Sequence, residues 1–472
     1  MKGSVVVAHD TDLTSEQMTD LVLPCIEAGV DAPCDFNTLA LQEFAFQYQN
    51  NPVFREFADA KGQNPATVSR WEDIPIVYND VFKTELVSSF PLEQAVMGTL
   101  TGGTTSLTQR GRIFRDEQGK KLVFTANRIM TQTYLFPDLD QGRRCRILIL
   151  APSPEVAPSM GMAIGMEQTR QAFGTQDSMF LLRRSGIDVN KLIGALREAE
   201  SSGVPVALIG ATSAFVYFFQ ACRKDKITFD LPEGSRVCDG GGYRGRFGVV
   251  TRDDYYDFVR EILNIPAHYC VNTLGEAETA TNLFDDALYR HVKGLEPRER
   301  SRPVPPWSRV RAMDIDTLRP LPDRETGLLA HWDLANVPTV LAVITDNLGY
   351  TSHGGTCCEI VGRAKLENNK VSLLPDEQRA VGAMGDTPIF RMLESYMNFS
   401  IKAKMKFAKD PGKAPSVREE VEAREDSVAS CPQIVDEMLV ASVDEDAQRA
   451  VDRSLEAFRK QTEEDDARQK EA

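Results

Sequence analysis

Pro205-Val206-Ala207-Leu208-Ile209-Gly210 leads, through Ala211, into Thr212-Ser213 and an aromatic-rich segment ending at Phe219. The first part is a short continuous apolar run closed by glycine, the pattern of a strand covered on both faces. A hydroxyl residue then opens a helix. The alternation recurs on both sides. Upstream, Arg146-Ile147-Leu148-Ile149-Leu150 is a strand run that ends at Pro152, and Asp188 is placed to cap a helix bearing Leu192, Ile193 and Leu196 on its apolar face. Downstream, Arg236-Val237-Cys238 enters Asp239-Gly240-Gly241-Gly242-Tyr243. Thr251 with Asp254 forms a capping-box signature, with Tyr255, Phe258, Val259 and Ile262 on one helical face, and Ala267 to Val271 reads as a further strand. Strands alternating with helices predict an α/β core with a mainly parallel sheet. Ligands of such sheets bind beyond the carboxyl ends of the strands, so the loops after Ile209, Cys238 and Val271 are expected at one edge.

After about residue 300 the pattern changes. Pro303, Pro305 and Pro306 interrupt the chain before Trp307. Gly327 to Trp332 and Val340 to Ile344 read as antiparallel strands, with Asp346-Asn347-Leu348-Gly349 as a turn. Beyond Arg363 the chain reads as helical and highly charged, with a linker at 409–418 and a solvated helix or frayed tail from Asp444 to Ala472.

Composition excludes several classes. The 472 residues suffice for a large domain and one or two smaller ones. A net charge of −15 argues against a nucleic-acid binder, and no apolar run has membrane-spanning length. The short valine run within Met1 to Asp10 does not make a secretory signal, so a cytoplasmic protein is expected. The nine cysteines follow no zinc spacing and read as free thiols, mostly buried. Cys357-Cys358 after His353 lacks a second ligand pair and reads as packing.

Chemistry is carried first by Thr99-Leu100-Thr101-Gly102-Gly103-Thr104-Thr105-Ser106. Glycine allows close approach of backbone to ligand, and hydroxyls and backbone N–H groups can surround phosphate oxygens. No lysine follows, so this is not a P-loop; a plain turn is the alternative. Gly240, Gly242 and Gly245 also fit Gly-x-Gly-x-x-Gly after a strand. Phe247-Gly248-Val249-Val250 separates them from the next helix, which disfavours dinucleotide binding.

Taken in order, further segments join this loop: Ile74-Pro75-Ile76 with Phe82-Lys83, Leu274-Gly275-Glu276-Ala277-Glu278, Asp333-Leu334-Ala335-Asn336, Ile344-Thr345-Asp346-Asn347-Leu348-Gly349 and Gly362-Arg363. With them the chain resembles the adenylate-forming superfamily, and within it the acyl-protein synthetases of the bacterial luciferase aldehyde pathway. The resemblance implies an α/β fold with a large N-terminal adenylation domain, residues 1–362, built on mainly parallel sheets. A small mobile C-terminal domain, α+β or helical, would span 363–472. It also implies an enzyme that uses ATP and Mg2+ to activate a carboxylic acid, with an acyl-carrier or reductase protein as a possible partner.

Attack of a carboxylate on the α-phosphorus of ATP brings two anions together, so the site must neutralise charge and align the reactants. By the resemblance, Thr101, Gly102, Gly103, Thr104, Thr105 and Ser106 hold the β- and γ-phosphates. Glu278 binds magnesium, Gly241, Gly242 and Tyr243 form the adenine slot, Asp346 binds the ribose hydroxyls, and Arg363 contacts ribose or phosphate at the hinge. Two positions depart from the superfamily pattern: Leu274 replaces a stacking tyrosine and Ala277 an α-phosphate-binding threonine. Glu276 is an extra carboxylate. The catalytic C-terminal lysine has only positional candidates, Lys402, Lys404 and Lys406.

Cys431 precedes Pro432 and an acidic-apolar segment. In acyl-protein synthetases a cysteine near the C-terminus carries the acyl group as a thioester, and Pro432 at a first helical position would set Cys431 where a helix N-terminus lowers a thiol pKa. The alternatives are packing of Cys431 under a terminal helix, a non-catalytic scaffold that keeps the fold, and a ligase that passes the acyl group to an amine, coenzyme A or a carrier. Phe215, Phe218 and Phe219 line either an apolar acid pocket or simply the core.

Overall fold

The computed structural model describes residues 13–101, 111–139, 142–183, 186–240, 252–367 and 370–373. Three helices lead. α1 (Ser15–Glu27) opens on a capping box, in which Thr14 Oγ1 accepts from the Gln17 amide and Gln17 Oε1 from the Thr14 amide. α2 (Phe36–Asn50) is capped by Asp35, and α3 (Pro52–Ala60) by Asn51 with Pro52 at its first position. The short α1–α2 connection folds back and brings Cys25 and Cys34 to a Cα separation of 5.5 Å, where they form a disulfide. This corrects the reading of all nine cysteines as free thiols. Cys145, Cys222, Cys238, Cys270, Cys357 and Cys358 are free and buried.

β1 (Val77–Tyr78) and the one-turn α4 (Val81–Thr84) lead to a two-stranded hairpin, β2 (Met97–Leu100) with β3 (Arg112–Arg115). The α/β body comes next: α5 (Glu117–Tyr134), β4 (Arg146–Pro152), α6 (Gly161–Phe173), β5 (Met179–Arg183), β6 (Gly186–Ile187), α7 (Val189–Ser202) and β7 (Val206–Ala211). It continues with α8 (Thr212–Asp225), β8 (Arg236–Gly240), α9 (Arg252–Leu263), β9 (Cys270–Leu274), β10 (Leu283–Phe284) and α10 (Ala287–Val292). The sheet order is β10-β9-β8-β7-β4-β5-β6, with β9, β8, β7, β4 and β5 parallel and the two short edges antiparallel. The period-2 alternation of side chains divides each strand between two cores. Leu148, Leu150, Leu208 and Val237 pack with α7, α8 and α9, while Ile147, Ile149, Ala207, Ile209 and Cys238 join the larger core on the other face. Continuous apolar runs are the sequence mark of such a two-sided sheet.

Asp188 caps α7 as its sequence predicts, accepting from the Lys191 amide at 3.3 Å. Phe215, Phe218 and Phe219 are fully buried and pack in a core cluster with Tyr255, so they are core residues. Ala267–Tyr269 is a 3-10 turn ahead of β9.

A second sheet is built from β11 (Arg302–Pro303), β12 (Ser308–Met313), β13 (Gly327–Asp333), β14 (Ala342–Ser352), β15 (Cys357–Glu367) and β16 (Lys370–Leu373). Its order is β11-β15-β14-β13-β12, with β16 antiparallel on β15 and β1 parallel on β14. "Mainly parallel" therefore describes the first sheet alone. Asp346 to Gly349 is not a turn. It lies inside β14, paired with both β13 and β15, with a register shift between Leu348 and Gly349. The reversal comes at His353, Gly354 and Gly355, with φ of 54°, 70° and 79°. Strand β15 passes through Gly362-Arg363 and returns as β16, so the chain just beyond Arg363 is a hairpin, not a helix. Among the described residues no helix is long and apolar enough to cross a membrane.

Candidate active site

The carboxylate turn begins where β9 ends. At Gly275 a Cβ would lie 2.5 Å from Asn282 Oδ1, so any larger residue there would push the Asn282 side chain out of its place over the turn. Side chains from four elements hold the backbone of this turn. Arg115 Nη2 donates to the Ala277 carbonyl at 3.1 Å, and Asn336 Nδ2 to the Glu278 carbonyl at 3.0 Å. Asp333 Oδ2 accepts from the amides of Ala280 and Thr281 at 3.1 and 2.7 Å. Asn127 donates to the Ala280 carbonyl at 2.9 Å and accepts from the Asn282 amide at 2.8 Å. Buried backbone polar groups outside a ladder need such partners, and the result is a rigid turn.

Rigidity fixes Glu276 and Glu278, both buried. Glu278 Oε1 accepts from Asn79 Nδ2 at 3.4 Å. Burial pushes its carboxyl upward and the charge of Asp346 adds to this, while Arg363 pulls it down. Glu276 Oε1 accepts from Asn347 Nδ2 at 2.6 Å, and its Oε2 faces His331 Nε2 at 3.9 Å. Burial, then the neighbouring Glu278, raise the Glu276 carboxyl. Burial pulls His331 down to about 4, so this ring is neutral near pH 7.

The antiparallel sheet supplies the other wall. Pairing of β14 with β15 sets Asn347 opposite Arg363, and Arg363 Nη1 lies 3.5 Å from Asp346 Oδ2. The arrangement thus brings together Glu278, Asp346 and Arg363, which the sequence separates widely. The glycine-hydroxyl loop is closed at its neck: the Thr101 amide donates to the Gly111 carbonyl at 2.9 Å, and the Gly111 amide to Thr101 Oγ1 at 2.8 Å. A Cβ at Gly111 would meet Thr101 Cγ2 at 2.7 Å and Phe82 Cβ at 3.1 Å, which gives buried Phe82 a part in the neck. At the end of β8, Thr212 Oγ1 donates to Asp239 Oδ2 at 2.7 Å and to the Gly240 carbonyl at 2.9 Å, and Asn272 Nδ2 donates to Asp239 Oδ2 at 3.0 Å. Gly102, Gly103, Thr104, Thr105, Ser106, Gly241, Gly242, Tyr243, Thr251, Lys402, Lys404, Lys406 and Cys431 lie outside the described residues.

The family model described as acyl-protein synthetase, LuxE, matches residues 4–373. The chain belongs to the LuxE acyl-protein synthetase family. It is 24% identical over 339 residues to a long-chain-fatty-acid–luciferin-component ligase of Vibrio harveyi, covering 69% of this chain and 83% of that protein. The ligase of the same name from Aliivibrio fischeri is 23% identical over 345 residues, 70% of this chain and 85% of that one. Among solved structures, a 2-hydroxyisobutyryl-CoA ligase in complex with 2-HIB-AMP superposes with a TM-score of 0.50 at 12% identity, over 75% of this chain and 73% of that one. An open conformation of the same ligase gives 0.50 at 11% identity, over 72% and 78%. The fold is that of an adenylate-forming ligase, and this acyl-protein synthetase is an ATP-dependent acyl-activating enzyme.

Sequence reasoning missed Asn79, Arg115, Asn127 and His331. Arg115 alone left a local signal: it ends a strand immediately before Asp116, which caps α5 by accepting from the Gly119 amide at 2.8 Å. Magnesium-type cations keep several ligand places for water and phosphate oxygens and take one or two carboxylates. The acyl-protein synthetase turn fits that demand. Glu278 is a buried carboxylate with Asp346 and Arg363 both close enough to act on it, and among the described residues no three His, Cys, Asp or Glu side chains form a group that could hold a metal by themselves.

Proposed function

We propose that this acyl-protein synthetase activates a long-chain, apolar carboxylic acid and passes the acyl group to Cys431. The acid's carboxylate oxygen would bond to the α-phosphorus of ATP as pyrophosphate leaves. The Cys431 thiolate would then attack the acyl carbonyl as AMP leaves. The observation that carries this reading is the buried convergence of Glu278 with the Asp346–Arg363 pair, 3.5 Å apart. Asp346 would hold the ribose hydroxyls, Arg363 the ribose or phosphate, and Thr101 to Ser106 the β- and γ-phosphates. Gly241, Gly242 and Tyr243 would form the adenine slot. Glu278 would hold Mg2+, which supplies charge neutralisation on the phosphates. The chain beyond Arg363, to residue 472, would act as the second domain, moving between adenylation and transfer, with Arg363 held in β15 at its hinge.

The preference for a long-chain acid is drawn from the names of the two bacterial ligases it matches. A reductase or acyl carrier would then collect the thioester. A scaffold reading is favoured by Leu274 and Ala277, which lack the superfamily's stacking ring and hydroxyl. ATP–pyrophosphate exchange over a panel of acids separates the two. Exchange with long-chain acids, and a hydroxylamine-labile acyl adduct lost in Cys431→Ser, support catalysis. Absence of exchange and of ATP binding by calorimetry supports the scaffold. Exchange without an adduct, with label on coenzyme A or a carrier, moves the acceptor off this chain.

A further inference from the structure

We propose that Arg115 is a positioning residue that couples the glycine-hydroxyl loop to the carboxylate turn, so that phosphate capture and Glu278 placement are set together. This deepens the reading that both segments serve one adenylation site. Arg115 is the last residue of β3, and the β2–β3 hairpin, with pairs from Met97–Arg115 to Leu100–Arg112, flanks the glycine-hydroxyl segment in the chain. Its guanidinium is buried and reaches two ways. Nη1 lies 3.5 Å from Thr99 Oγ1 within the hairpin, and Nη2 donates to the Ala277 carbonyl at 3.1 Å, 162 residues away. The two contacts lie at the root of the loop and beside the metal-binding candidate.

Three features argue for more than packing. Taking a guanidinium out of water is costly unless its charge and donors are used, and a neutral side chain would fill the volume more cheaply. The charge lies where Glu278 and Asp333, both buried acids, act on it. Ala277 offers no side-chain donor or acceptor of its own, so its carbonyl is the handle by which the stretch between Glu276 and Glu278 is gripped. Among the described residues Arg115 Nε has no partner, which leaves one buried N–H available. Planar, forked geometry is what lets one side chain hold both partners; lysine carries the charge but cannot make the fork.

The test is Arg115→Lys and Arg115→Met, with Thr99→Val as a milder break of the hairpin contact. In pyrophosphate exchange, Arg115→Met is expected to lose about a hundredfold in kcat and to raise the half-saturating Mg2+ roughly tenfold, with KM for the acid unchanged. Arg115→Lys should restore the Mg2+ response but not kcat. Thr99→Val should lose about threefold in kcat. If folded Arg115→Lys and Thr99→Val keep kcat and Mg2+ response within about twofold of wild type, the coupling is overturned. Hydrogen–deuterium exchange separates this from failure of the adenylation reading. Arg115→Lys should deprotect both 97–100 and 275–282, whether or not wild type turns over. Deprotection confined to 112–115 overturns the proposal even in an active enzyme, and an inactive wild type with both segments deprotected overturns only the adenylation reading. If Arg115→Met does not fold, the Lys and Val variants decide.

Discussion

The two sheets contribute to the site by different physics. The parallel sheet gives strand ends: the turn after β9, the close of β8, and the Thr212 bridge between α8 and β8. Those groups are placed by connections, and their rigidity is supplied from outside, by Arg115, Asn127, Asp333 and Asn336. The antiparallel sheet gives strand interiors. Asp346, Arg363 and His331 sit within ladders whose hydrogen bonds already fix them. One half of the site is therefore clamped by side chains and the other by backbone, and substitutions should break the two halves differently.

The largest effect is expected on the clamped half. Glu278→Gln should lower exchange turnover by about a hundredfold or more, because it removes the charge that a phosphate-bound cation needs. Acid binding should change little, and normal turnover at limiting magnesium would show that Glu278 is not the metal group. On the ladder half, Asp346→Ala should weaken nucleotide binding by about 1.5–3 kcal/mol, the value of charge-assisted hydrogen bonds. Calorimetry should find this loss without unfolding, since β14 keeps its backbone partners. If Asp346→Ala lowers the thermal midpoint as far as affinity, the contrast between the halves fails.

Gly275→Ala sharpens the same contrast. Its Cβ would press on Asn282 Oδ1, and about 1–3 kcal/mol of stability should be lost as the turn gives way. Denaturant titration measures the loss, and hydrogen exchange should localise it to 275–282 while β14 stays protected.

The smallest effect concerns the α2 support of the clamp. Gln47 accepts from the Leu341 amide at 2.8 Å and donates to the carbonyls of Asn336 and Val337 and to Glu43 Oε1. Glu43 is fully buried, and burial, then the charge of Asp333, hold its carboxyl well above the ordinary range. A carboxyl whose folded pKa is raised contributes stability below its unfolded pKa, and that contribution is lost as pH rises toward the folded value. Glu43→Gln does not titrate, so it should exceed wild type by about 1 kcal/mol at pH 8, with the gap narrowing toward pH 5. Thermal midpoints at the two pH values check the sign; a wild type more stable than the variant at pH 8 would mean a paired, ionised Glu43.

Sequence by itself determined the features that local periodicity and chemical type control. Two-sided strands show as continuous apolar runs, so β4, β7 and β8 were legible, as were the Asp188 cap and the α9 face. Glu278, Asp346 and Arg363 were legible as a set because each belongs to a segment of recognisable order. The Asp346 segment misled as a turn because Asp, Asn and Gly favour turns locally, while pairing with β13 on one side and β15 on the other keeps it extended. Only the tertiary structure decided that pairing, the Cys25–Cys34 disulfide, and the burial of Phe215, Phe218 and Phe219 as core. It alone set Arg115 beside Ala277 and Asn79 beside Glu278, since contacts across 162 and 199 residues leave no period in the chain. Local pattern dictates which faces must be buried; which buried polar group meets which is settled by how elements far apart in the chain pack together.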